Sequence, residues 1–294
     1  MTAHANQSRL ILVTGASGNV GAPLVSALQE TGQPVVRATV EPAGDALDGS
    51  VRRLDFEEQR TFAAALEGID KVFLMRPAQI SDTKRYIRPF IEAMATARVS
   101  HVVFLSLMGV NRAMPHWQVE QDLRSSALPW TFLRPSFFAQ NLGTAYRDDI
   151  RLHDRIRLAS GRGRTSFIDT RDIAAVAARI LTDPTSHQGQ AYTLTGPAAL
   201  TYDEVASRLS AKLSRPIDYQ PIGLWRYRRE LQAQHLLNAF VNVQLLINVV
   251  ARLGLAARTT NTIPQLLGRP AGTLDQYIAD HHDLWTHPAS ASPD

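Results

Sequence analysis

Leu12-Val13-Thr14-Gly15-Ala16-Ser17-Gly18-Asn19-Val20-Gly21 carries three glycines at three-residue spacing between an apolar run and an amphipathic one. Residues 10–13 are all apolar, as in a buried parallel strand, and Val20, Leu24 and Leu28 recur at helical spacing. A tight turn therefore opens a helix. Gly15 permits the turn, Gly18 lets backbone approach a phosphate, and Gly21 lets the helix pack close to the strand, with N-terminal amides facing an anion. The chemistry is binding of a dinucleotide pyrophosphate by Thr14, Gly15, Ser17, Gly18, Asn19, Val20 and Gly21. The bland alternative is a small-residue loop that merely caps a helix.

Elements must position this turn. Strands are expected at 34–40, 51–54, 71–75, 101–107 and 130–133, and helical patterns separate them, such as Phe62, Ala65, Leu66 and Ile87, Phe90, Ile91, Met94, the latter bent by Pro89. Alternation of this kind implies right-handed crossovers and an α/β, Rossmann-type doubly wound parallel sheet, with ligands beyond the carboxyl ends of the strands. Glu41, Asp55, Arg76, Ser106 and Arg134 lie at such ends. From about residue 137 the pattern changes to scattered helices and short strands, including 190–195 and 217–219, while 171–181 returns a helix to the main sheet. The expected division is a dinucleotide-binding domain of residues 8–136 and 165–196 and an interleaved, smaller substrate lobe of 137–164 and 197–286, with loose tails at 1–7 and 287–294.

Composition narrows the chemistry. The chain has 294 residues, 45% hydrophobic and 20% charged, in the range of a globular protein with a large core. It contains no cysteine, so disulfides, thiolate metal sites, iron–sulfur ligation and a cysteine nucleophile are excluded. The net charge of +4 is spread along the chain, which argues against direct nucleic-acid binding. Residues 1–8 are polar and show no signal peptide, and the apolar stretch 241–257 is broken by Asn242, Gln244, Asn248 and Arg252, so it reads as a packing helix rather than a membrane span. The expectation is a cytoplasmic protein, monomer or homodimer. His281, His282 and His287 lack the i, i+4 spacing of a helical ligand pair, and no metal is expected.

The order TGASGNVG, LDF at Asp55, HVVFLS, WTFLRPSFF, FIDTRDIA and AYTLTGPAALTYDEVA resembles the atypical short-chain dehydrogenases/reductases of the NmrA-like group over about residues 10–285. That group includes NAD(P)H:quinone oxidoreductases, triphenylmethane-dye reductases and NADP-binding transcriptional co-regulators. The resemblance implies an NAD(P)H cofactor without flavin, Asp55 near the adenine amino group, Ser106 beside the nicotinamide, and Pro135 to Phe138 bordering a substrate. Arg76 and Pro135 join the cofactor set.

Two departures from the group sharpen the reading. Relatives often end the second strand in an Arg that holds a 2′-phosphate, whereas this chain reads Val36-Arg37-Ala38-Thr39-Val40-Glu41. Glu41 stands about 20 residues beyond Gly21, where a carboxylate accepts from a ribose 2′-hydroxyl and repels a 2′-phosphate. The chain thus leans toward NADH, with Arg37, on the same strand face by parity, as the residue that would rescue NADPH. In the second departure, the Tyr-x-x-x-Lys pair of ordinary short-chain dehydrogenases is replaced by His116 and Glu120. Pro115 suits the first helical position, so both share a helix face. Glu120 raises the histidine pKa and the helix N-terminus lowers it; the balance is open, as is a solvent-facing polar pair.

Hydride addition to a simple ketone needs an acid, whereas a quinone or cationic dye accepts hydride readily and needs positioning more. Phe137, Phe138, Trp225 and the run 235–250 are candidates for a flat apolar pocket, with ordinary core packing as the alternative. The expected function is an NAD(P)H-dependent reductase of a quinone or similar conjugated aromatic acceptor. A non-catalytic dinucleotide-binding sensor is the alternative, and a ketone or enone reductase a third.

Overall fold

The computed structural model describes residues 10–42, 49–234 and 238–286, apart from the side chains of 239 and 240. The expected tails, Ala43 and Gly44 of the turn after Glu41, residues 235–237 of the apolar run, and His287 lie outside the described residues. In chain order the first elements are β1 (Leu10–Val13), α1 (Gly21–Glu30), β2 (Val35–Thr39), β3 (Val51–Arg53), α2 (Phe62–Leu66) and β4 (Ile69–Met75). There follow α3 (Thr83–Tyr86), α4 (Arg88–Thr96), β5 (His101–Leu105), α5 (Pro115–Ser125), β6 (Trp130–Pro135) and β7 (Phe137–Phe138). Next come α6 (Arg147–His153), β8 (Arg155–Leu158), β9 (Thr165–Ile168), α7 (Thr170–Thr182), β10 (Gln190–Leu194) and β11 (Ala199–Leu200). The last are α8 (Tyr202–Leu213), β12 (Asp218–Pro221), α9 (Leu224–Ala233), α10 (Asn238–Arg252), α11 (Thr262–Leu267) and α12 (Leu274–Asp280).

The chain divides into two compact units, 1–135 with 170–194 and 136–169 with 195–294. The first is a seven-stranded sheet in the order β10-β6-β5-β4-β1-β2-β3, with every described pair parallel. Strand order reverses between β1 and β4, the switch point at which doubly wound sheets open a crevice. Near-continuous apolar strands such as His101–Leu105 are buried on both faces, as parallel strands covered by helices require. Leu12, Val72, Leu74, Val102, Phe104 and Phe132 point into one core with Phe90 and Met94 of α4, while α1 and α7 pack together on the opposite side. Lys71, buried within β4, donates from Nζ to Leu181 O at 2.6 Å, so its charge meets the carbonyl end of α7.

In the second unit β9 pairs with β11 and β7, and β12 pairs with β8. Because β9 hydrogen-bonds to strands of this unit, the first unit resumes at Thr170, not at Thr165. The core of the second unit gathers Phe167, Tyr202, Tyr277 and Trp285.

Pro89 does not simply bend one helix. Without an N–H it cannot continue the ladder from α3, and α4 restarts at Arg88 with the proline in its first turn. The strand expected at 217–219 runs from Asp218 to Pro221.

Candidate cofactor and acceptor site in the first unit

The three glycines of the turn differ in what a side chain would meet. Gly15 has φ +62°, and a Cβ there would fall 2.0 Å from Met75 Cε. A Cβ on Gly21 would lie 2.1 Å from Gly15 O. Gly21 is demanded by backbone packing, and Gly15 by its left-handed φ, since the end of the Met75 side chain could move aside. Gly18 is intermediate: its Cβ would meet Gly15 O at 3.3 Å and Met75 Cε at 3.8 Å, a tight contact that asks the turn to give by a few tenths of an ångström. The turn closes through Gly18 N to Gly15 O at 2.9 Å, and Ala22 N reaches Gly18 O at 3.0 Å. Ahead of α1, Val20 provides no side-chain cap and the first turn holds no acidic residue; Ala22 N and Leu24 N are already bonded and Pro23 has no N–H, so the amides suited to an anion are those of Asn19, Val20 and Gly21, which donate to nothing among the described residues. Ser17 and Asn19 are exposed beside it. Thr14 is committed elsewhere, since its hydroxyl donates to Phe73 O at 3.1 Å and accepts from Met75 N at 2.7 Å, tying β1 to β4.

Beyond β2, the strand ends at Thr39 and Val40 and Glu41 form a bend. The parity that would put Arg37 and Glu41 on one strand face therefore stops short of Glu41. Arg37 is exposed, with Nη2 3.5 Å from Ser50 Oγ, and Glu41 is exposed at the bend. Asp55 Oδ1 accepts from Glu57 N at 2.9 Å, an Asx turn that leaves Oδ2 without a partner among the described residues. Arg53, which sequence reading passed over, stands opposite Thr39, donates from Nε to Val40 O at 3.3 Å and pairs with Glu58 at 3.1 Å. Its signal was its place next to the last residue of the strand expected at 51–54, which ends at Arg53.

At the ends of β4, β5 and β6 a second group assembles. Ser106 Oγ donates to Glu120 Oε1 at 2.7 Å, and Arg134 meets both oxygens of the same carboxylate, Nε at 2.9 Å from Oε1 and Nη2 on Oε2. Glu120 is 1% exposed. Arg76 Nη1 donates to Pro77 O at 2.8 Å and to Ala78 O and Ile80 O, pinning the loop after β4, while its buried Nε has no partner among the described residues. His116, in the first turn of α5, lies 6.2 Å from the Phe104 ring. Burial, and then the Arg76 charge, push its pKa down to about 3.

The expectation that Glu120 acts on His116 is thereby corrected. Residues 116 and 120 are on one helix, but the carboxylate turns to Arg134 and Ser106, and neither a solvent-facing pair nor a carboxylate-raised histidine results. His116 is neutral across the working pH range, and the Ser106 proton is directed at Glu120. Met75, too, was not foreseen: only its contact with the glycine turn reveals it.

Of the expected acceptor residues, Phe137 and Phe138 form half-buried β7 in the second unit. Phe137 stacks on Tyr146 at 6.4 Å and meets Phe167 edge-on at 5.5 Å. Trp225 is 80% exposed and takes no part in that cluster, so neither core packing nor an enclosed pocket describes it.

A model of the NmrA-like family matches residues 7–277. The chain belongs to the NmrA-like family. This NmrA-like chain is 35% identical over 283 residues to the NAD(P)H azoreductase of Xenophilus azovorans, covering 92% of this chain and 98% of that protein. The NADPH-dependent quinone oxidoreductase of Escherichia coli, solved in complex with NADPH, superposes with a TM-score of 0.82 at 24% identity, over 92% of this chain and 99% of that one. NmrA, a negative transcriptional regulator solved with NAD, superposes at 0.74 with 15% identity over 95% and 97%. These two likenesses establish the shared fold. The residues of the NmrA-like chain fit a nicotinamide dinucleotide: the undonated amides of Asn19, Val20 and Gly21 at an uncapped helix start, and an orphaned Nε on Arg76.

Proposed function

We propose that this chain is an NAD(P)H-dependent reductase that delivers hydride to a quinone or a similarly conjugated aromatic acceptor. The observation that carries this reading is the state of the polar group at the ends of β5 and β6, with Glu120 held by Arg134 and Ser106 and His116 kept neutral. A general acid works best with a pKa near the operating pH, and this group does not supply one. An acceptor whose reduced form is a weakly basic phenolate does not require it, because water protonates that oxygen after hydride arrives. The names of the azoreductase and quinone oxidoreductase relatives support the same acceptor class.

A bound reduced nicotinamide would supply the hydride, two electrons and one proton nucleus in a single transfer. The amides of Asn19, Val20 and Gly21, beside Gly18, would hold the pyrophosphate, Asp55 Oδ2 the adenine amino group, and Glu41 the ribose 2′-hydroxyl, which leans the choice toward NADH. Arg76 Nε would donate to a cofactor oxygen. The Arg134–Glu120–Ser106 group would set a fixed polar floor at the nicotinamide end.

The same neutral His116 and committed Glu120 also favour a second reading, a non-catalytic dinucleotide sensor. Steady oxidation of NADH or NADPH in the presence of menadione supports the reductase. Tight dinucleotide binding with no turnover of menadione or an azo dye would overturn it in favour of the sensor. Efficient reduction of simple ketones would point instead to the ketone reductase.

A further inference from the structure

In the second unit a pocket of about 660 Å³ opens between the loop joining β8 to β9 and the residues that end and follow α10. That volume falls within the roughly 300–1,000 Å³ of small-molecule sites. Arg162, Arg164 and Arg252 line it, with Gly161, Gly163 and Gly254. The three cations are not equivalent. Arg164 is neutralised: Nη2 lies 3.0 and 2.9 Å from the two oxygens of Glu204, and Nε donates to Ala199 O at 3.0 Å. Arg162 and Arg252 form no ion pair or hydrogen bond among the described residues.

One of those two charges has a local explanation. Arg252 is the last residue of α10, where a cation complements the carbonyl end of the helix. Arg162 comes from a separate loop and brings a second guanidinium, exposed to solvent like that of Arg252, to the lining of the same pocket. Two like charges lining one cleft raise its potential and concentrate anions there.

The frame that holds them is fixed by the fold. A Cβ on Gly163 would lie 2.0 Å from Ala251 O, so only glycine lets the loop meet the helix end backbone to backbone. Gly161 at φ +57° and Gly254 at φ +75° turn the two segments through the left-handed region. Asn248 Oδ1 accepts from Ala159 N at 2.9 Å and Ser160 Oγ at 2.8 Å, and Ser166 N donates to Ala256 O at 2.9 Å, joining α10 and its exit to the β8–β9 segment. Leu253, 66% exposed, adds an apolar side chain to the lining.

We propose that this pocket binds a small amphiphilic organic anion, its carboxylate, sulfonate or phosphate held between Arg162 and Arg252 and its apolar body against Leu253. A guanidinium presents a planar fork that matches all three oxyanions. The proposal does not depend on the dinucleotide site, which lies in the other unit.

The test uses the full chain and 2-naphthalenesulfonate as probe, with 2-naphthalenesulfonamide as its uncharged counterpart, by titration calorimetry. Saturable binding of the sulfonate is expected, weakened at least about tenfold in the Arg162→Gln/Arg252→Gln variant and to a similar degree for the sulfonamide on the wild-type chain. Thermal stability and NADH binding of the variant check that it folds. If the double variant does not fold, Arg162→Gln alone, which removes a side chain with no internal partner, is expected to weaken the sulfonate several-fold. Unchanged sulfonate binding in the folded variant, equal binding of sulfonate and sulfonamide, or no wild-type binding at about 10 mM sulfonate, near 2.7 kcal/mol, would each overturn the proposal.

Discussion

Arg134, on β6, and Glu120, on α5, form a two-point ion pair, and Ser106 donates to the same carboxylate at 2.7 Å. The side chain of Glu120 is 2% exposed and that of Arg134 27%, so the pair lies at the edge of the solvent with its anion inside. The arrangement makes Glu120 a structural anchor in a position where a proton-transfer partner was expected.

Removing one member of such a pair strands the other. Glu120→Gln leaves the partly exposed Arg134 guanidinium without its counter-charge, and a loss of about 1–3 kcal/mol in unfolding free energy is expected. Urea unfolding of the two proteins checks it. A change within experimental error would mean that solvent already satisfies Arg134.

His116→Ala is expected to slow menadione reduction less than about tenfold, because burial and the Arg76 charge lower its pKa to about 3 and leave it without a proton to give near neutral pH. The turnover rate should show no titration of this group between pH 6 and 8. A fall of about 10²–10⁴-fold with NADH binding intact would make His116 the proton donor.

Acid should destabilise the fold through His101. Burial, followed by the charges of Lys71 and His187, lowers its pKa to about 4 from 6.5, and its Nε2 sits 2.9 Å from Thr131 Oγ1. The native state therefore binds the proton less readily than the unfolded chain. Its stabilising contribution is fully present above pH 6.5 and declines as pH falls toward 4, by about 1.4 kcal/mol per pH unit at most. Unfolding curves at neutral pH and at pH 5 should show that loss, and His101→Gln should reduce the slope.

The glycines of the turn should divide by phenotype. Gly21→Ala places a Cβ 2.1 Å from Gly15 O and is expected to lower the melting temperature sharply. Gly18→Val, whose Cβ meets Gly15 O at 3.3 Å and not 2.1 Å, should fold after a small adjustment of the turn, but weaken NADH binding at least about tenfold, or 1.4 kcal/mol. Nicotinamide fluorescence titration beside circular dichroism distinguishes the two. Equal NADH binding by Gly18→Val would remove the turn from the cofactor site.

Glu41→Arg is expected to shift dinucleotide preference toward NADPH, because the exposed bend after β2 then offers a guanidinium fork to a 2′-phosphate. Competitive binding of NADH and NADPH to both proteins reads the ratio. Tighter binding of NADPH by the wild-type chain would transfer the selectivity to Arg37 or Arg53.

What the amino-acid sequence determined by itself lies within short windows. The apolar run at 10–13, the left-handed requirement at Gly15, and the helical spacing of Val20, Leu24 and Leu28 are properties of contiguous residues, and the repeated alternation of strand and helix restricts the sheet to a parallel, doubly wound order. The strand-end positions of Asp55, Arg76, Ser106 and Arg134 were legible for the same reason. Only the tertiary structure decided what those side chains do. Glu120 meets Arg134 because β5 and β6 are adjacent and α5 packs beside β6, Lys71 finds the Leu181 carbonyl 110 residues away, and Met75 covers Gly15 through the pairing of β4 with β1. Local pattern encodes backbone shape; the charge state of His116 and the partners of buried polar groups depend on desolvation and on neighbours that strand order alone brings together.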